Sequence, residues 1–186
     1  MMKKTPILLA TLVALPAATS WRDPAPRVAV LSIELNNLHK TDPDTSLAGR
    51  ISRLGIALRA RLGGPCGYEL VTVDTATEAE AHLAAEYFYQ HPDVAAALAA
   101  HSGADWVIIP RLNRATAWAS DLQAHVVRVK DTTLVSNRIV ELKGLELTPE
   151  LAEHLIDRGA AWMADQISQA IEYARDPAVT TRRCPP

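Results

Sequence analysis

The sequence predicts an α/β (α+β) protein, in which helices pack on a mixed sheet of about five strands. In the first half of the chain, apolar β-branched segments alternate with helical segments, an order typical of parallel strands joined by helical crossovers. Three extended segments then follow each other with short polar breaks, which indicates antiparallel pairing. An amphipathic helix comes last. The predicted order is therefore β-α-β-α-α-β-β-β-α.

The first elements are a strand, a loop, a helix and a second strand. Residues 27–35 are apolar and β-branched, as in a strand buried on both faces, and residues 36–45 form a polar loop. Apolar residues recur every three or four positions between Leu47 and Leu62, which predicts a helix that ends at the Gly-Gly-Pro segment after it. Residues 68–73 form the second strand.

Two helices follow the second strand. Thr75 and Glu78 have the spacing of a capping box, and the helix that they begin is predicted to reach about Tyr89. Pro92 begins a shorter, alanine-rich helix, because proline is tolerated in the first turn. This helix ends before Gly103.

The last part of the chain is a meander followed by a helix. Residues 105–118, 121–130 and 134–143 form the three extended segments. Thr148 is a suitable N-cap for the final helix, which ends before Asp176-Pro177.

The N-terminal segment has the three parts of a secretory signal peptide. Lys3-Lys4 precede an uncharged apolar stretch, and Ala18-Thr19-Ser20 supply the small residues of a cleavage site. The apolar stretch is shorter than the roughly 20 residues that span a bilayer. A buried helix or strand is the alternative. We therefore expect a signal peptide at 1–20 and a periplasmic product with no membrane span after cleavage.

The remaining chain divides into three parts. A short proline-rich leader covers residues 21–26, a single α/β domain covers residues 27–175, and a tail covers residues 176–186. The composition is that of a globular protein, with 48% apolar and 22% charged residues. A net charge of −2 argues against nucleic acid as a partner.

The two cysteines are Cys66, in a glycine-rich turn, and Cys184, in the tail. An even number of cysteines in an exported protein favours a disulfide, which would tether the tail to the domain. Two unpaired thiols or an intermolecular bond are the alternatives. Neither cysteine lies in a Cys-x-x-Cys motif or begins a clear helix, so a catalytic thiol is disfavoured.

Three segments resemble known bacterial envelope domains. They are residues 27–31, the segment Gly103-Ala104-Asp105-Trp106-Val107-Ile108-Ile109, and the strand end at 126–131. Over residues 27–172 the chain is similar to the N-terminal domain of the Tol-system translocation protein, the curli-secretion lipoprotein, and the lipoprotein activators of peptidoglycan synthases. It most resembles a bacterial domain family of unknown function with the same pattern. The related chains carry a glycine in the last hairpin, where this chain has Asp131-Thr132-Thr133-Leu134, which leaves the turn type open.

The resemblance implies a binding or assembly module without catalytic residues to transfer. The sequence itself contains no nucleophile elbow, no phosphate loop and no His-Glu-x-x-His motif. The segment at Asp42 begins like a calcium loop, but Leu47 and Arg53 occupy the positions of the required Gly and Glu. We therefore expect no catalytic site, metal or cofactor.

The position of polar residues suggests one candidate ligand site. Asn36, Asn37, His39 and Asp42 follow the first strand, and Asp74 follows the second. Ligands of sheets with helical crossovers bind beyond the carboxyl ends of parallel strands, so these side chains are candidate ligand-binding residues. Solvated loop residues are the alternative interpretation.

Two arginines are expected to be structural. Arg111 and Arg114 lie along the third strand, and we expect them to pair with Asp121 or Glu141 across the sheet.

These observations favour a secreted, non-catalytic module that binds or assembles with an envelope protein, whose identity and oligomeric context the sequence leaves open. The alternatives are a small periplasmic enzyme with His39 as its acid or base, an accessory of a periplasmic redox enzyme, or a carrier of a ligand or metal.

Overall fold

The computed structural model describes residues 24–39, 45–84, 86–178 and Cys184. The predicted signal peptide at 1–20, the first half of the leader (21–23), and Asp42 lie outside these ranges. The described strands are Arg27–Val30 (β1), Glu34–Asn37 (β2), Glu69–Val71 (β3), Trp106–Arg114 (β4), Ser120–Arg128 (β5) and Thr133–Glu141 (β6). The described helices are Thr45–Gly63 (α1), Thr75–Ala81 (α2), Tyr87–Gln90 (α3), Pro92–His101 (α4) and Pro149–Arg175 (α5).

The strands form one mixed sheet with the order β3-β1-β4-β5-β6. β1 pairs in parallel with β3 and with the first part of β4, and β2 pairs in parallel with the last part of β4. β4, β5 and β6 are successive antiparallel neighbours. The predicted fold class is therefore confirmed: parallel strands connected by helices precede an antiparallel meander.

The first predicted strand is divided into β1 and β2, so the described residues form a sheet of six strands. The Arg59 guanidinium donates hydrogen bonds to the carbonyl oxygens of Val30 at 2.9 Å and Leu31 at 3.1 Å. These bonds replace strand pairing where β1 ends, since an unpaired buried carbonyl is costly. Beyond this point the chain resumes pairing with β4, and Asn36 and Asn37 belong to β2 instead of the predicted loop.

Helices α1 and α5 pack together on one face of the sheet. Leu58 of α1 and Met163 and Ile167 of α5 are fully buried there against strand residues such as Leu122. This apolar core follows from the helical spacing of large side chains in both helices.

The opposite face is covered over part of its length. Phe88 of α3 and Leu98 of α4 pack against Val107 and Ile109 of β4 in a second, smaller core. Farther along the same face, β4 and β5 carry half-buried polar side chains, among them Arg111 and Gln123. One face is thus mainly apolar, whereas the other changes from apolar to polar along the strands.

The helix predicted to run from Thr75 to about Tyr89 is interrupted. α2 ends at Ala81, and α3 begins after Glu86, whose backbone is in the left-handed region at φ 60°. The predicted capping box is also wrong. Asp74 is the N-cap, because its carboxylate accepts the Thr77 N–H at 2.9 Å, while the Glu78 carboxylate accepts the Ser32 N–H at 2.7 Å.

The turn between β5 and β6 is formed without glycine. A 3₁₀ turn spans Val129–Asp131, and Thr132 takes the left-handed conformation at φ 54°. The Asp131 carboxylate accepts hydrogen bonds from the Arg128 side chain and, at 3.3 Å, from the Thr133 N–H. These contacts hold a conformation that a β-branched residue otherwise avoids.

The tail is connected to the helical layer. Cys66, which follows α1, forms a disulfide with Cys184, and both cysteines are buried in the core under α1 and α5. The bond closes a loop across 118 positions. Such a long-range bond restricts the unfolded chain.

Candidate functional site

A cleft of about 450 Å³ opens where β1 and β3 end. Its walls come from the segment after β1, from α2 and from the start of α3. This is the edge of the sheet at which the sequence places a ligand site. The side chains lining it differ from the predicted ones and include Ser32, Ile33, Glu34, Glu78, His82 and Phe88.

Glu34 is the most unusual group in the cleft wall. It is the first residue of β2, and its side chain is only 7% exposed. Oε1 accepts the Phe88 backbone N–H at 3.2 Å and lies 3.4 Å from Nε2 of His82. Oε2 is buried and has no hydrogen-bond partner among the described residues. The wall therefore contains a carboxylate oxygen that a hydrogen-bond donor would satisfy.

The environment of Glu34 disfavours its charged form. Burial away from water raises the pKa of this carboxyl, and the nearby His82 opposes that effect. The attraction between a buried carboxylate and a cationic partner is stronger than that of a solvated carboxylate, because the surrounding protein screens the two charges less than water does.

The residues predicted to bind a ligand are held by different elements. The Asn36 amide donates to Oδ1 of Asn113 at 2.8 Å, and Oδ1 of Asn37 accepts a hydrogen bond from Arg114 at 3.0 Å. His39 follows β2, is half-buried, and donates its backbone N–H to the Arg114 carbonyl at 3.1 Å.

Asp74 follows β3, and its carboxylate accepts both the N–H and the hydroxyl hydrogen of Thr77 at 2.9 Å. Hydrogen bonding lowers the pKa of this carboxyl. Asp42 lies outside the described residues. The grouping of these five residues into one ligand site therefore stays a prediction.

A second polar cluster lies beside the cleft, on the partly covered face. The Arg111 guanidinium forms an ion pair with Glu86, donates to Oε1 of Gln123 at 2.6 Å, and lies 3.6 Å from the centroid of the Tyr89 ring. The Tyr89 hydroxyl donates to Asn137 at 3.0 Å or to Gln123 at 3.1 Å. These contacts connect α3 to three strands.

His125 completes this cluster as a neutral ring. It stacks on Tyr89 with 3.7 Å between ring centroids. Burial and the neighbouring positive charge of Arg111 lower the pKa of His125 to about 4. The imidazole is therefore uncharged at neutral pH, and it acts here as a packed aromatic group.

The expected partners of the two arginines are wrong. Arg111 pairs with Glu86, and Arg114 forms a buried ion pair with Glu146 at 2.6 and 2.9 Å. Strand geometry explains why Arg114 does not pair with Asp121. Asp121 pairs with Asn113 across the strands, so these two side chains share one face of the sheet. Arg114 is the next residue of β4, and its side chain therefore points to the other face.

The composition of the cleft limits what it can bind. Within the described ranges, no group of three or more His, Cys, Asp and Glu side chains is placed to hold a metal ion. The cleft offers carboxylates, one imidazole and apolar walls, which suits recognition of a donor group attached to an apolar body.

No described helix is long and apolar enough to cross a membrane.

Sequence reasoning missed Glu34, Glu78 and His82. A signal for Glu34 is present, because it is the one acidic residue in the apolar run 27–35. Glu78 lies in α2 and His82 follows it by four residues as the C-cap of that helix, but nothing in the sequence brings them to the end of β1.

The fold and the cleft define a mixed α/β domain with a candidate binding site at the ends of its parallel strands. The chain belongs to the family DUF3280, described as a protein of unknown function (DUF2380), whose model matches residues 26–170. This confirms the resemblance to a family of unknown function. No curated protein matches the chain.

Several solved structures are similar to it at low identity. The C-terminal domain of LpoB from Salmonella enterica is 16% identical, with 64% of this chain and 83% of that chain covered and a TM-score of 0.47. TolB from Acinetobacter baumannii is 15% identical, with 80% of this chain but 29% of that chain covered and a TM-score of 0.48. The lipoprotein GNA1162 from Neisseria meningitidis is 14% identical, with coverages of 75% and 96% and a TM-score of 0.46.

Proposed function

We propose that this chain is an exported, non-catalytic module of the bacterial envelope that binds a protein partner by strand addition at β6. The N-terminal segment supports export, because a lysine pair, an apolar stretch and small residues follow each other there. The Cys66–Cys184 disulfide supports an oxidising compartment such as the periplasm.

The observation that carries the proposal is the edge of the sheet at β6, whose outer side pairs with no other strand of the described residues. This strand spans nine residues and is the last in the sheet order. Leu134 and Ile139 are exposed along it, at 44% and 53%. The strand contains no proline and no lysine, two residue types that usually protect an edge from pairing.

The opposite edge of the sheet is a poorer docking site. β3 has three residues, and a strand of that length offers few main-chain hydrogen bonds. β6 is three times as long, so an added strand would gain main-chain hydrogen bonds along its length and side-chain contacts at alternate positions.

Site-specific photocrosslinking in cells that export the full chain tests this proposal. A photoreactive residue replaces Leu134 on β6, and it is combined either with Ile139→Lys or with Tyr173→Lys. Tyr173 is also exposed, at 64%, and lies on α5, far along the chain from β6. We expect one dominant protein adduct that Ile139→Lys abolishes and Tyr173→Lys preserves, because a charge on an edge strand opposes pairing.

Two outcomes contradict the proposal. An adduct that persists unchanged with Ile139→Lys, or no adduct at Leu134, shows that β6 is not the docking edge. Recovery of the chain from spheroplasts instead of the released periplasm contradicts export.

A further inference from the structure

We propose that the cleft beside Glu34 is a binding site for a small organic cation, namely a primary ammonium group carried on an apolar body. This site goes beyond strand addition, because it lies at the ends of β1 and β3 and involves no residue of β6. Its size of about 450 Å³ is within the usual range of small-ligand pockets.

The anchor is Oε2 of Glu34. This atom is buried with no hydrogen-bond partner among the described residues, and Glu34 is one of the residues that line the cleft. Oε1 is already engaged by the Phe88 N–H and His82. An ammonium group bound at Oε2 would supply the missing donor, and a charge-assisted bond of this kind is stronger than a neutral one.

The charges of the lining residues favour a cation over an anion. Among the described residues that line the cleft, Glu34, Glu78 and Glu86 supply carboxylates and His82 supplies the only basic side chain. Arg111, which lies outside the cleft, neutralises the charge of Glu86. The Glu78 carboxylate accepts a hydrogen bond from the Ser32 backbone N–H, which is neutral and leaves the charge of Glu78 in place. The cleft therefore keeps a negative balance.

The same residues favour an organic cation over a metal ion. No group of three or more metal-capable side chains converges in the described part of the chain. Ile33, Leu35 and Phe88 supply apolar wall instead. Such walls would contact the body of an amine, and they offer no ligand to a metal ion.

Titration calorimetry with the exported, disulfide-bonded protein tests the site. The probes are 2-phenylethylammonium, its neutral analogue 2-phenylethanol, and 3-phenylpropanoate as the anion of similar shape. We expect the wild-type protein to bind the ammonium at least about tenfold more tightly than either analogue, a preference typical of one charge-assisted hydrogen bond.

Glu34→Gln keeps the shape of the side chain and removes its charge. We expect it to weaken ammonium binding about tenfold, whereas Glu80→Gln, on the exposed side of α2, leaves the affinity unchanged. Amide chemical-shift changes on binding should include Ser32 and Phe88.

The comparison of the three probes on the wild-type protein tests the proposal even if the Glu34→Gln variant fails to fold. Equal affinity for the ammonium and the alcohol, or no ammonium binding at millimolar concentration, overturns the proposal. So does unchanged ammonium binding in a folded Glu34→Gln variant, or chemical-shift changes confined to β6. None of these results depends on whether β6 accepts a strand.

Discussion

The two faces of the sheet obtain their stability in different ways. The face under α1 and α5 is an apolar core that contains fully buried residues from both helices and from β4 and β5. The face under α3 and α4 has a smaller apolar core and then a network of hydrogen bonds around Arg111 and Tyr89. One face depends mainly on removing apolar surface from water, and the other also depends on satisfying polar groups.

The difference explains where the candidate site lies. A close-packed apolar core leaves little space for a ligand and few polar groups to recognise one. On the other face, the gap between α2 and α3 leaves Glu34, His82 and Glu86 around a cleft. The interruption of the predicted long helix at Ala81 is therefore what opens the site.

The largest expected effect comes from the charged pair on the apolar face. Arg114→Ala would leave Glu146 buried without its partner, since both side chains are at most 5% exposed. We expect a loss of about 3–5 kcal/mol in the free energy of unfolding, measured by urea denaturation. Arg111→Ala, on the other face of the same strand, should cost about 1–3 kcal/mol because its pair with Glu86 is less buried. Equal losses would contradict the difference between the faces.

A pair of apolar truncations tests the same contrast on neighbouring strands. Leu122 is fully buried under the helices, and Ile139 is 53% exposed on the opposite face. We expect Leu122→Ala to lower the free energy of unfolding by about 2–5 kcal/mol. Ile139→Ala should change it by less than about 0.5 kcal/mol. A large loss at Ile139 in the isolated protein would show that β6 is covered by another part of the chain.

The third expected effect is a pH dependence from His125, which requires no change of core residues. Its pKa is about 4 in the folded protein against 6.5 for an ordinary imidazole. Between these values the unfolded chain binds a proton that the folded protein excludes. Stability from this group is therefore essentially complete above pH 6.5 and decreases as the pH falls toward 4, by about 3 kcal/mol.

The matched variant for this effect is His125→Gln, which keeps a polar side chain but does not titrate. The difference in unfolding free energy between the wild-type protein and this variant should change over that pH range, while contributions from other groups cancel. A difference that is independent of pH would show that His125 is solvated and not part of the buried cluster.

Local pattern predicted most of the elements but not their interruptions. The spacing from Leu47 to Leu62 predicted α1, and Thr148 was correctly predicted as the N-cap of α5, where its hydroxyl accepts the Leu151 N–H. The break between β1 and β2 was missed because the group that satisfies its carbonyl oxygens, the Arg59 side chain, belongs to another element. The partner of Arg114 was missed for the same reason, since Glu146 lies in a loop beyond the meander.

The sequence by itself determined the fold class, the alternation of parallel and antiparallel parts, and the edge of the sheet at which a cleft forms. These depend on periodicity and on the handedness of crossovers, which are properties of short segments. The tertiary structure alone decided which carboxylate is buried at that edge. Burial depends on groups that are distant in sequence, and Glu34 meets Phe88 and His82 only when α2 and α3 fold back over the end of β1.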